Sequence, residues 1–283
     1  MLFGGRSGEH EISVRSASSV VQGLAVVHDV LPVLVDKRGG WKLQEGPGVS
    51  EEGGTPVFLV PSPSDRGVLR RLEDGSVIAR PDVYFPVLHG TFGEDGTIQG
   101  LFELAGVPFV GSGCAASAVG MDKAFMKGVF ASAGLAQAKY RVLLHYQREQ
   151  ARAAVESLGL PVFVKPANLG SSVGVSKVKR LEELDEAVDL AFEYDRKIVV
   201  EEGLDAREIE LGILGNEEPE ASVVGEITPT ASSTITTRST RRRAARSCAS
   251  PRPSAPRKRA RPGSWACACS RPWTRAATRA STS

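Results

Sequence analysis

The feature that most constrains folding is a seam near residue 228. Residues 229 to 283 contain 13 basic residues and no acid, and among Leu, Val, Ile, Met and Phe they hold only Ile235. Such a stretch has almost no apolar surface to offset the entropy of ordering a chain, so it is not expected to pack by itself. Residues 1 to 228 carry 22 Lys+Arg against 33 Asp+Glu, a balance of −11, and the formal total of +2 hides the break between the two halves. A chain of 283 residues is long enough for two or three compact units with a sizeable core, and the tail is not expected to contribute to them.

Three of the four cysteines, Cys248, Cys267 and Cys269, fall after the seam, and only Cys114 precedes it. No disulfide framework follows, and Cys267 and Cys269 lack a second pair at metal-site spacing. There is no apolar run near 18 residues and no basic-then-apolar leader, so a cytoplasmic, non-membrane protein is expected. Leu2-Phe3 running into Gly4-Gly5 reads as a strand end. A parallel strand usually needs about five or six residues, so either the true start lies upstream or the first strand is short.

The apolar pattern predicts an α/β chain. Ile12, Ala17, Val20, Val21 and Leu24 recur largely at helical spacing, and Val26 to Val35 reads as a second strand interrupted by His28-Asp29 and Pro32, a βαβ unit in outline. Residues 37 to 80, rich in Gly, Pro and charge, read as an irregular insertion with β-like pieces at Val57 to Val60 and Val77 to Ala79. Strands are then expected at Val83 to Leu88 and Val107 to Val110, with a helix from Ile98 to Ala105 between them. After Ala115 a helix holds Met121, Asp122 and Lys123. A further helix places Leu181, Leu184, Val188, Ala191 and Phe192 on one face, and Ile198 to Val200 is a strand running into Glu201-Glu202. Residues 209 to 227 read as a hairpin turning at Gly215-Asn216.

The segment that points to chemistry is Val162-Phe163-Val164-Lys165-Pro166 followed by Gly170-Ser171-Ser172-Val173-Gly174. A buried strand that delivers a cation and then opens into glycine and serine offers a charge and free backbone N–H groups, which a nucleotide's phosphates require. A flexible hairpin beside a surface lysine has the same composition. Other candidates also have two readings in isolation: Glu9 as a solvated acid at a helix start, His89 before Gly90 as a turn residue, Lys123 as a surface cation, and Glu201-Glu202 as an exposed strand end.

Taken in order, the motifs resemble the D-alanine:D-alanine ligase family of ATP-grasp enzymes. They are Phe3 to Glu11, Leu88-His89-Gly90, Gly93-Glu94-Asp95-Gly96, Gly111-Ser112-Gly113, Met121-Asp122-Lys123, Lys165-Pro166, Gly170 to Gly174, and Glu201-Glu202. The resemblance covers roughly residues 1 to 228 and implies an N-terminal open parallel-sheet domain followed by an ATP-grasp fold of two α+β lobes, the last incomplete. The implied boundaries are 1–114 for the substrate-binding domain, 115–204 for the central ATP-binding lobe, 205–228 for the start of the C-terminal lobe and 229–283 for an aberrant basic tail. ATP lies between the lobes. One D-alanine carboxylate takes the γ-phosphoryl group, the acylphosphate is attacked by the amine of a second D-alanine, and the dipeptide serves peptidoglycan synthesis, cell-wall biogenesis and cell shape.

The resemblance also assigns roles. Lys123 and Lys165 hold phosphates as point charges. Gly170, Ser171, Ser172, Val173 and Gly174 form a mobile loop closing over them, with Ser171 reaching the substrate. Glu201, Glu202 and Leu204 frame the adenine, and Glu208 accepts from the ribose hydroxyls. Glu9 binds the ammonium of the first D-alanine and His89 lies near its carboxylate; Glu9 and Ser171 are the catalytic candidates. The resemblance allows a homodimer.

The family should continue with a substrate loop and with acidic and asparagine residues that hold Mg2+ or Mn2+. Neither appears, and a segment without Asp or Glu supplies no carboxylate to a hard cation. No metal residue is therefore assigned. A frame slip after about Ile227 accounts for this. Suitable codons for Ser232 to Thr240, read from the third base, give Phe-Tyr-Asp-Tyr-Asp-Thr-Lys-Tyr, and the same offset over Ala277 to Ser283 gives Tyr-Ala-Arg-Val-Asp-Phe. The recovered loop favours D-alanine over D-lactate as second substrate, and the chain in its present sequence is expected to be inactive. Three competing readings remain: another ATP-grasp carboxylate-amine ligase, a non-catalytic ATP-binding protein, and a nucleic-acid-binding arm built on Arg241-Arg242-Arg243 and Arg257-Lys258-Arg259. Out-of-frame GC-rich DNA also yields such basic runs, so nucleic acid is not the expected partner.

Overall fold

Two buried residues and a glycine make the first strand, β1 (Leu2–Gly4), and its neighbours determine how the rest of the sheet is laid down. A computed structural model of the chain describes residues 1–46, 48–170 and 172–227. Residues 1–202 form one unit, and residues 203–227 belong to a second. The expectations for the basic tail lie outside the described residues.

Helix α1 (His10–Leu24) follows β1 and leads to β2 (Val33–Val35), which pairs parallel to β1 with Leu2 opposite Val33. The expected strand from Val26 is shorter than read: Val26 and Val27 are 80% and 75% exposed, and Pro32 has no N–H to give a ladder. On the other side of β1, Leu2 bridges Pro86 and Tyr84 bridges Phe109, both in parallel sense. The expected strands at 83–88 and 107–110 thus reduce to isolated bridges, with Pro86 and Pro108 interrupting the donors.

Residues 37 to 80 are not an irregular insertion. They form β3 (Trp41–Leu43), β4 (Thr55–Leu59), β5 (Leu69–Arg71) and β6 (Val77–Ala79), which extend the sheet antiparallel in the order β1-β2-β3-β4-β5-β6. Gly39 (φ 93°), Gly54 (φ 90°) and Gly75 (φ 70°) make the turns, and Val57 and Leu59 face the core while Phe58 between them does not. Helix α2 (Thr97–Ala105) packs Ile98, Phe102 and Ala105 against this layer, with Phe102 stacked 5.0 Å from Tyr84.

The helix expected after Ala115 is two helices, α3 (Cys114–Met121) and α4 (Lys123–Ser132). Asp122 between them is extended (φ −83°, ψ 104°), and its carboxylate accepts from Ala124 N (3.0 Å) and Phe125 N (3.1 Å). That cap starts α4 at Lys123.

A second sheet follows in the order β7-β10-β8-β9, antiparallel throughout: β7 (Tyr140–Leu144), β8 (Val162–Pro166), β9 (Ser176–Val178) and β10 (Lys197–Glu202). Helices α5 (Ala151–Leu158) and α6 (Leu184–Tyr194) cover one face. Val162 and Val164 point into this core with Leu184, Val188, Ala191, Ile198 and Val200, as the apolar spacing predicts. Burying each such side chain contributes about 1.5–3 kcal/mol.

In the second unit, β11 (Glu208–Glu210) pairs with β14 (Gly225–Ile227), and β12 (Ile213–Leu214) with β13 (Glu220–Ala221). The expected hairpin is present, split into two short ladders, with Gly215 at φ 128° in its turn.

Candidate functional site

Gly4 (φ 89°) and Gly5 (φ 102°) turn the chain sharply at the end of β1. A Cβ on Gly4 would stand 2.5 Å from the Val35 carbonyl oxygen, so only glycine fits there. The turn is pinned by two polar residues on the buried face of α1. Ser13 Oγ accepts from Gly4 N (2.7 Å) and donates to the Val87 carbonyl (2.5 Å), and His10 Nδ1 lies 2.7 Å from the Gly5 carbonyl. The stripe His10, Ser13, Ala17 and Val21 is the buried one, while Ile12 is 47% exposed. Hydrophobicity therefore misassigns the face near the turn, because hydrogen bonding to loop carbonyls takes precedence there.

The same pinning carries Ser7, Glu9 and His89 together. Ser7 Oγ donates to the His89 carbonyl (2.6 Å), and Glu9 N donates to Ser7 Oγ (3.2 Å). His89 Nε2 is 3.1 Å from Ser16 Oγ, and its Nδ1 is 4.0 Å from Glu94 Oε1. Glu94 Oε2 accepts from Gly90 N (2.7 Å), which fixes the turn after His89. The Glu9 carboxylate lies between two glycines: a Cβ on Gly90 would be 2.5 Å from Glu9 Oε2, and one on Gly170 would be 3.1 Å from it. Glu9, His89 and the start of the glycine-serine loop thus converge in space from segments about 80 residues apart.

The cationic side of the site is built on α4 and β8. Lys123 N donates to the Ala167 carbonyl (2.9 Å), and its ammonium donates to the Leu169 carbonyl. Burial lowers the Lys123 pKa, and the neighbouring Lys165 ammonium lowers it further. Lys165 Nζ is 3.1 Å from Glu201 Oε2, on the central strand β10. The loop stem is tied down by Asp195, whose Oδ2 accepts from Asn168 N (2.8 Å) and Asn168 Nδ2 (2.9 Å). In the loop, Ser172 is at φ 60° and Gly174 at φ 66°, where a Cβ would meet Tyr194 at 2.7 Å and Pro166 at 2.9 Å. Val173 N donates to the Gly170 carbonyl (3.3 Å). Ser171 lies outside the described residues.

Glu202 Oε1 accepts from Lys139 N (2.7 Å), so this carboxylate is engaged at the start of β7. Leu204 and Glu208 belong to the second unit; both are exposed, and Glu208 opens β11 opposite Ile227. Residues that reading the sequence did not single out are Ser13, Ser16, Asp195 and Lys127. The last had a usable signal: it follows Lys123 by four residues, the spacing of one helix face.

A triphosphate fits the chemistry present, since Lys123 and Lys165 stand at the mouth of a loop with positive-φ positions and exposed backbone. A hard divalent metal takes oxygen ligands. Among the described residues no group of three or more His, Cys, Asp or Glu is disposed to hold one, and residues 229 to 283 contain no carboxylate side chain.

Two family models match the chain: "D-ala D-ala ligase N-terminus" over residues 1–112 and "D-ala D-ala ligase C-terminus" over residues 129–237. The D-alanine–D-alanine ligase of Natranaerobius thermophilus is 46% identical over 241 residues, covering 81% of this chain and 66% of that protein. That of Bacillus velezensis is 47% identical over 242 residues, covering 81% and 68%. The chain thus spans about two thirds of the length of these curated relatives. Among solved structures, the VanG D-Ala:D-Ser ligase of Enterococcus faecalis matches with a TM-score of 0.74 and 34% identity over 84% of this chain and 72% of that one. The D-alanine-D-alanine ligase of Coxiella burnetii matches with a TM-score of 0.69 and 36% identity, over 80% and 69%.

Proposed function

The chain belongs to the D-alanine–D-alanine ligase family, and from that premise we propose that its protein is an ADP-forming ligase joining two D-alanines through an acylphosphate. A carboxylate is a poor acyl donor until its oxygen becomes a phosphate leaving group, and ATP supplies that phosphate. The protein's part in such a transfer is positioning and charge neutralisation rather than covalent participation. Lys123 and Lys165 act as point charges toward the phosphates, and residues 170–174 cover them. Glu9 receives the ammonium of the first D-alanine with His89 near its carboxylate, and Ser171 reaches the substrate as the loop closes. Glu201 and Glu202 frame the adenine.

The observation that carries this reading is the convergence of Glu9 on Gly170. A carboxylate suited to an amino acid's ammonium stands at the first glycine of the loop assigned to the phosphates. The reading extends to domain boundaries at 114 and 204, a cytoplasmic location, a contribution to peptidoglycan precursors, and D-alanine as second substrate. No described helix is long and apolar enough to cross a membrane.

In its present sequence the chain is proposed not to turn over, because a Mg2+ or Mn2+ ion would lack carboxylate ligands. The test compares this chain with one whose carboxyl end is restored by shifting the frame after Ile227. The restored chain should release ADP and form D-alanyl-D-alanine with ATP, magnesium and D-alanine, while the present one stays at the no-substrate background. Absence of nucleotide-dependent dipeptide from the restored chain would remove the reading. Turnover by the present chain would remove the frame slip.

A further inference from the structure

Resting on the nucleotide site above and extending it, we propose that Lys127 is a positioning residue: it neutralises Glu201 so that Lys165 is free to be handed from that carboxylate to the phosphates. Glu201 stands in the middle of a row across three strands, with Tyr140 of β7 opposite it on one side and Phe163 of β8 on the other. The Tyr140 ring carries the Lys127 ammonium, and the Phe163 ring carries those of Lys165 and Lys177. Lys127 Nζ lies 5.0 Å from the Tyr140 centroid and Lys165 Nζ 5.3 Å from that of Phe163. Lys127 and Lys165 also take one oxygen of Glu201 each, Lys127 at 3.4 Å from Oε1 and Lys165 at 3.1 Å from Oε2.

Burial separates their roles. The Lys127 side chain is 8% exposed and Lys165 is 23% exposed, with Glu201 between them at 17%. A lysine buried to that degree is held by its counter-charge and ring and has no open path to a ligand. Lys165, at the wetter end, can turn outward. Two ammoniums share one carboxylate, so the trio carries one surplus positive charge. When a triphosphate draws Lys165 away, Glu201 remains paired with Lys127. Without Lys127, the same movement would leave a largely buried carboxylate uncompensated, and the phosphates would have to compete for Lys165 against its sole partner. The spacing supports this division, since Lys123 and Lys127 share a face of α4 while only Lys123 reaches the loop carbonyl of Leu169.

The test uses the full chain and two readouts. Brief acetylation with acetic anhydride, followed by peptide mass spectrometry, measures how freely the Lys165 amine reacts, and calorimetric titration measures ATP affinity. Lys127→Met should lower Lys165 labelling about threefold and weaken ATP about tenfold, and Lys127→Arg should hold both near the wild-type values. The double variant Lys127→Met with Glu201→Gln should recover Lys165 labelling, because the competing carboxylate is gone; labelling is its readout, since Glu201 itself is assigned to the adenine. A purely structural role would not give that recovery. Lys127→Gln is the second variant should Lys127→Met fail to fold, and the same order is expected. Unchanged labelling in a folded Lys127→Met or Lys127→Gln variant, or a double variant labelled at Lys165 no better than the single one, would overturn the proposal. If the wild-type chain binds no ATP, the nucleotide reading fails, while the labelling still decides whether Lys127 governs Lys165.

Discussion

Gly90→Ala places a methyl group against the Glu9 carboxylate and separates folding from binding. Gly90 sits at φ 71°, a left-handed conformation that costs an L-residue about 1–2 kcal/mol, partly offset by the lower entropy of the unfolded Ala chain. The net loss of stability should be about 1 kcal/mol, which in a unit of about 200 residues moves the thermal midpoint by about 2–4 °C. The steric effect falls elsewhere. The new Cβ would be 2.5 Å from Glu9 Oε2, the mobile end of a side chain, so the carboxylate must retreat by roughly 0.9 Å to reach ordinary contact at 3.4 Å. Gly170 approaches the same oxygen and limits that retreat. A misplacement of about 1 Å in a positioning group costs up to 100-fold, so D-alanine affinity measured by calorimetry should fall at least about tenfold, more than the stability loss explains. Gly170→Ala is the control: without backbone strain and with a 3.1 Å approach, it should lower affinity only a few-fold and leave the midpoint within about 1 °C. A Gly90→Ala protein that melts lower yet binds D-alanine as tightly as wild type would refute the placement of Glu9 in the substrate site.

Asp122→Ala removes the α4 cap and the partner of the Lys197 ammonium, and should cost about 3–5 kcal/mol in urea denaturation; Asp122→Asn, which keeps an accepting oxygen, should cost about half as much. Equal losses would show that the charge outweighs the cap. Val164→Ala, at a fully buried position of β8, should lose about 2 kcal/mol, and a loss below about 0.5 kcal/mol would contradict the core assignment. The Met1 ammonium is pulled from 8.0 down to about 6 by burial. Between these values the unfolded chain holds more protons, so stability should rise from pH 6 to pH 8 by about 2–3 kcal/mol, complete above pH 8 and lost below pH 6. Acetylating the N-terminal amine should flatten that slope, and a slope that survives acetylation must come from other groups.

Local chemistry was legible in the sequence where the backbone itself dictates residue type. Gly4-Gly5 could be read because the turn excludes a Cβ, and Lys165-Pro166 could be read because a strand end carries the cation. The α6 face was legible because Leu184, Val188 and Ala191 follow a single period. Pairing between distant segments was not. The β3–β6 meander hides in a stretch of glycine, proline and charge, where short strands are defined by their turns rather than by apolar runs. Val26 and Val27 misled in the other direction, since apolar character there is not matched by a partner strand. Asp122 breaks a continuous helical pattern through a side-chain bond that hydropathy does not record. Lys127 was passed over because a lone helical lysine is ordinarily solvated; its partners Glu201 and Tyr140 come from strands that only the sheet register brings beneath it.

The most direct measurement is ATP titration of the 283-residue chain beside its Lys123→Met and Lys165→Met variants, all verified as folded by thermal melting. The account predicts saturable binding by the wild-type chain that weakens at least about tenfold in each variant, with adenosine binding far less affected, because the lysines act on phosphates. Equal ATP affinity in all three proteins would contradict it.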